Sequence, residues 1–202
     1  MNKHNVLLDR LPDTVNIGGR EYPIDTDFRA GIEFELAVQN GAETLADLLC
    51  PWYGSVGYPQ DIVGAVDAAI WFYRCGVSED KPQEENRAQA ATRRHTQGYC
   101  FDMDADAILA SFWQAYRIDL TTASLHWWVF RALLSGLPEE SEFKRRVYIR
   151  TCDTKGMSKK QKEQIMKQRK ALEIKRPGKK ETLAERDRKM REYVAQRLNG
   201  GD

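Results

Sequence analysis

Between Phe101 and Leu134 the chain reads FDMDADAILASFWQAYRIDLTTASLHWWVFRALL, and no other stretch constrains the fold so tightly. Ile108, Leu109, Phe112, Trp113 and Tyr116 recur at helical spacing and predict a helix with a broad buried stripe. Arg117-Ile118-Asp119-Leu120 breaks that pattern, and Thr121 to Ser124 start the next element. A second helical pattern follows in His126, Trp127, Phe130, Leu133, Leu134 and Leu137, and Gly136 and Pro138 end it. A connection this short predicts an antiparallel pair of helices. Trp127 and Trp128 project about 100° apart on a helix, which predicts one in the core and the other at a boundary or interface. No nucleophile context and no metal-ligand cluster accompanies these aromatics. Their density points to helix packing and a protein-binding face, not to a catalytic centre.

The remaining elements read more simply. Residues 14–24 predict a hairpin: Val15 and Ile17 alternate with polar neighbours, Gly18-Gly19 supplies a turn tolerant of positive φ, and Tyr22 and Ile24 continue the second strand. Pro23 places that strand at an edge. Asp25, Thr26 or Asp27 caps a helix carrying Phe28, Ile32, Phe34 and Leu36, closed by Asn40-Gly41. Residues 43–49 predict a short helix stopping at Pro51, before an aromatic, glycine-rich loop of Trp52, Tyr53, Gly54, Gly57 and Tyr58. Pro59 opens a helix with Ile62, Val63, Val66, Ile70 and Tyr73 on its apolar side, closed by Gly76. Residues 78–97 hold charge and Gln without aromatics, and read as a mobile connection in which His95 is solvated. Glu139, Glu140 and Ser141 begin a helix containing Phe143, Val147 and Tyr148.

Charge divides the chain. Through residue 154 there are 15 Lys/Arg against 23 Asp/Glu, a net of −8; from 155 onward 16 against 7 give +9. Residues 158–173, anchored by Ile165, Met166 and Leu172, and 181–198, anchored by Leu183, Met190, Tyr193, Val194 and Leu198, predict helices that gain order only on a surface. Such polarity suits self-association, a partner met through one end, or a solvated surface. The fold expected is mainly α-helical: a small N-terminal β-hairpin packed on a helical bundle, with a basic helical C-terminal extension. The body spans residues 1–154 and the weakly ordered extension 155–202. No run of eighteen apolar residues predicts a membrane span, and the N-terminus lacks a signal-peptide core. Cys50, Cys75, Cys100 and Cys152 form no CxxC pair and read as reduced thiols.

Few residues invite a chemical reading. Asp102, Asp104 and Asp106 lack the glycine and closing glutamate of a calcium loop, so helix capping explains them better. His126 has the right chemistry for a general base but no oriented partner, so a structural hydrogen bond is the better reading. Gly18-Gly19 sits in no phosphate-loop pattern. The basic end could neutralise phosphates, yet Tyr193 is its one aromatic and its cations are interleaved with Glu and Gln. No enzyme activity, cofactor or metal is expected. Trp113, Tyr116, Trp127, Trp128, Arg131, Met190 and Tyr193 are the candidate protein-interaction residues. Tyr22, Asp27, Phe28, Phe112, Asp119, His126 and Phe130 are candidate structural positions.

Two stretches carry a family resemblance: LPDTVNIGGREYPIDTDFRAGIEFE near the start, and residues 101–150, with Tyr22-Pro23-Ile24, Asp27-Phe28-Arg29, Ile118-Asp119-Leu120 and Leu125-His126-Trp127-Trp128 as the sharpest features. The chain resembles the bacteriophage gene-product-fifteen family of tailed phages and prophages with long non-contractile tails. The resemblance implies a tail assembly chaperone that keeps the tape measure protein soluble and helps tail tube subunits polymerise around it. It implies the tape measure protein as partner, the tail tube protein as a second one, and the bacterial host cytoplasm as the place of action. A minor structural tail component and a nucleic-acid-associated protein are the alternatives. The family carries no catalytic residues to transfer.

Overall fold

The computed structural model describes residues 5–40, 42, 44–77, 98–174, Arg188 and Arg191. It is mainly helical with a small N-terminal hairpin, as expected. The chain divides into two compact units, one of Met1–Gln83, Ser124–Ala132 and Leu183–Asp202, the other of Glu84–Ala123 and Leu133–Thr182. The expected connection at 78–97 with His95, the Gly41 stop, and the helix at 181–198 with Met190 and Tyr193 lie outside the described residues.

In the first unit, β1 (Thr14–Ile17) pairs antiparallel with β2 (Arg20–Pro23), Val15 opposite Tyr22. Gly18 and Gly19 both take positive φ, 58° and 83°, as a two-residue turn between right-twisted strands requires. Val15 and Ile17 bury their side chains, and Ile17 packs on Gly64 of α3. Three helices follow: α1 (Phe28–Asn40), α2 (Leu45–Tyr53) and α3 (Ile62–Tyr73). α1 begins where Asp27 accepts a hydrogen bond from the Arg29 amide at 2.9 Å. It buries Phe28, Ala30, Gly31, Phe34 and Glu35, whereas Ile32 and Leu36 are half-buried.

α2 corrects the expected stop at Pro51. The Thr44–Asp47 capping box starts the helix, which runs through Pro51 to Tyr53. An interior proline costs about 3 kcal/mol, and the residues behind it explain why the helix continues. Trp52 and Tyr53, expected in a loop, are fully buried; Trp52 packs against Phe34, Phe72 and Trp127, and the Tyr53 hydroxyl donates to the Ala65 carbonyl at 3.0 Å. Burying an aromatic pair of this size outweighs one lost backbone bond. α3 is capped by Asp61, which accepts from the Gly64 amide at 3.0 Å. Val66, Ile70 and Tyr73 are buried as expected, but Val63 points outward.

The second unit holds α4 (Ala105–Tyr116), α6 (Glu142–Thr151) and α7 (Lys159–Ala171), and α5 (Trp127–Ser135) ends in it. α4 packs on α6 and α6 on α7. The expected antiparallel pairing of α4 with α5 is thus replaced by α4 with α6. Asp104 stands at the N-cap position of α4 but makes no cap bond. Its buried carboxylate instead receives two Arg150 nitrogens, at 2.6 and 2.9 Å, and the Cys100 amide at 3.0 Å. Arg150 also donates to the carbonyls of Gly98 and Leu172, at 3.1 and 2.7 Å. Arg169 of α7 donates to the carbonyls of Ile149 and Cys152 at 2.9 and 2.8 Å, closing the C-terminal end of α6.

Arg146 bridges to Asp106 at 2.9 and 3.0 Å. That hydrogen-bonded guanidinium holds the Asp106 carboxyl below its ordinary value of 3.8. A depressed carboxylate stabilises the fold above its ordinary range and loses that contribution as pH falls through the folded value. The Asp106 carboxyl is expected to titrate below 3.8 by NMR and to move back up in Arg146→Gln; an unchanged midpoint in that variant would remove the guanidinium as cause. The stabilisation is small, because Asp106 is largely exposed and screened.

Candidate protein-interaction surface

The interaction residues named from sequence fall into two groups. In the first unit, Trp127 and Trp128 are both buried, correcting the division into one core and one boundary indole. Their ring nitrogens donate to the Tyr73 and Phe72 carbonyls at 2.9 and 2.8 Å. Those carbonyls lie in the last turn of α3, where the helix leaves acceptors without intrahelical donors. Two consecutive indoles, 100° apart on α5, thus reach two consecutive carbonyls of one helix end. Cys75 and Gly76 turn the chain away with φ of 55° and 77°, and a side chain at Gly76 would meet Trp128. Arg131 is half-buried with its guanidinium 5.5 Å over the Trp127 ring.

The structural positions cluster around the same α5 start. The Phe28 amide donates to the Leu125 carbonyl at 2.9 Å and the Trp127 amide to the Thr26 carbonyl at 2.7 Å, forming a short bridge between Asp27 and His126. Phe28 and Phe130 stack with centroids 4.8 Å apart. His126 Nε2 lies 3.0 Å from the Pro12 carbonyl, and Nδ1 accepts from the Trp128 amide at 3.1 Å. A carbonyl needs a donor and an amide an acceptor, so this geometry fits the neutral ring with its proton on Nε2. His126 is a cap-region hydrogen bonder, as its sequence context suggested. Tyr22 is half-buried on β2.

In the second unit, Phe112 is buried and Tyr116 donates to the Leu133 carbonyl at 2.9 Å. Asp119 accepts from the Thr121 amide and hydroxyl, at 2.9 and 2.6 Å, in the turn after α4. Trp113 and Leu109, expected in the buried stripe, point outward; Trp113 is 51% exposed. α4 is apolar on two sides. Ala107, Ile108, Ser111 and Phe112 face inward, while Leu109 and Trp113, one turn apart, face out. A half-exposed indole beside an exposed leucine is a more informative surface than a single exposed aliphatic. Asp106 precedes the pair on the same side, Asp102 lies in the turn before the helix, and Arg117 follows at the C-cap with φ of 59°. Sequence reasoning named Trp113 but placed it on the wrong side of its helix; Leu109 went unnamed as an interaction residue.

Among the described residues no group of three or more His, Cys, Asp or Glu could hold a metal ion, and no helix is long and apolar enough to cross a membrane. The four cysteines carry free thiols. A family model described as "Bacteriophage Gp15 protein" matches residues 7–174 of the chain. No curated protein and no solved structure matches it.

Proposed function

The chain belongs to the bacteriophage Gp15 protein family, and from that premise we propose that it is a non-catalytic tail assembly chaperone that binds the tape measure protein. The observation that carries this reading is the outward face of α4, where Leu109 and Trp113 present apolar surface one helical turn apart. A long helical protein awaiting assembly exposes apolar stripes that aggregate unless covered. A rigid helix face bearing a leucine and a tryptophan suits such a stripe, in the manner of helix-to-groove recognition. The tail tube protein is the second partner of this reading, and the host cytoplasm during assembly its setting.

Co-expression with the tape measure protein, followed by light scattering on the eluted species, tests the proposal. A soluble complex of defined mass is expected, with the tape measure insoluble alone. Trp113→Ser should leave thermal stability nearly unchanged, since the side chain is half in solvent, while weakening the complex by about thirtyfold, as loss of an interfacial tryptophan does. A complex indifferent to this substitution would move the binding face elsewhere. A second reading rests on α7, whose Lys159, Lys160, Lys162 and Lys167 are exposed. Nucleic-acid binding through them would weaken steeply with added salt.

A further inference from the structure

We infer that the outward face of α4 is a self-complementary docking surface whose occupant, in the free protein, is the same face of a second copy of this chain. At 3.6 residues per turn, positions 106, 109 and 113 of α4 fall within roughly 60° of arc, opposite the buried side of the helix. Along that strip the order is Asp106, Leu109, Trp113, with Asp102 in the exposed turn just before the helix and Arg117 directly after it. The acids are at the N-terminal end, the apolar pair is central and the cation is at the C-terminal end.

This order is what a two-fold antiparallel helix pair needs. With the axis beside residue 111, Leu109 of each copy meets Trp113 of the other. The same symmetry sets Arg117 at the level of position 105, beside the partner's Asp106 and the turn that holds its Asp102. A parallel pairing would instead bring like charges together. Antiparallel helices also set opposite dipole ends side by side. Asp106 binds Arg146 through both carboxylate oxygens yet remains mostly exposed, and Asp102 and Arg117 are exposed as well.

One helix pair buries less than the 1,200 Å² of a standard stable interface, which sets the association in the weak, reversible class. Weakness matters for the proposed function, on which only this consequence rests: the second copy shields Trp113 until a tighter-binding partner displaces it.

The test uses the full-length chain alone, by sedimentation equilibrium over a range of concentrations. A monomer–dimer equilibrium is expected. Trp113→Ser should abolish it, with unchanged circular dichroism. Arg117→Glu should weaken it by about two- to fivefold, the reach of an exposed ion pair, and adding Asp102→Lys should recover it. A monomer at every concentration, or a dimer insensitive to Trp113→Ser, would overturn the inference. Because no tape measure protein is present, such a failure leaves the co-expression result standing by itself.

Discussion

Asp104→Ala is expected to cost about 3–5 kcal/mol, because it strands the buried Arg150 guanidinium without its carboxylate. Asp104 is fully buried and Arg150 nearly so. The pair joins the start of α4 to α6, and Arg150 continues to Gly98 and Leu172, so the arginine ties four segments together. Removing the acid leaves those two carbonyl contacts but no counter-charge. Whole-protein stabilities are only about 5–15 kcal/mol, so this loss is large. Urea unfolding followed by circular dichroism measures it. The double substitution Asp104→Leu with Arg150→Met should recover much of the loss, since apolar replacement of both partners removes the stranded charge. If Asp104→Ala unfolded within 1 kcal/mol of the parent, the pair would be dispensable and another contact would hold α6 to α4.

Gly31→Ala is expected to destabilise the protein by about 2 kcal/mol or more, against the usual helix preference for alanine. A methyl placed on Gly31 would lie 2.2 Å from the Trp127 ring, inside any real contact. That ring cannot yield easily. It stacks on Tyr73 and Phe130 at 5.5 and 5.9 Å and donates its nitrogen proton to the Tyr73 carbonyl. Shifting it strains the hydrogen bond from the Trp127 ring nitrogen to the Tyr73 carbonyl, and an unmade buried hydrogen bond costs about 1–3 kcal/mol. The check is a double-mutant cycle: in a Trp127→Leu background, Gly31→Ala should cost much less, with a coupling of at least about 1 kcal/mol. Equal penalties in both backgrounds would mean that the tryptophan ring is not what excludes the methyl.

Several features were legible because their causes are local. Gly18-Gly19 specified its turn through positive φ, Ser141 caps the helix that follows it, and Gly76 lies just past the end of α3, whereas Pro59, expected to open α3, stands before its Asp61 cap. Each depends on neighbours within a few residues. The candidate surface was only half legible. Trp113 was named for its chemistry, but apolar residues surround α4 widely enough that periodicity could not choose its inner side.

The sequence by itself determined the mainly helical class, the hairpin, most helix starts and the family, since capping, turn geometry and motif order are written in adjacent residues. Tertiary structure alone decided three things. It put Trp127 and Trp128 on the end of α3, 54 and 56 residues away; it joined Asp104 to Arg150 across 46 residues; and it carried α2 through Pro51. In each case a local preference competes with burial, and burial depends on which distant surface arrives. A proline that costs about 3 kcal/mol or a second buried indole is settled only by the side chains that pack against it.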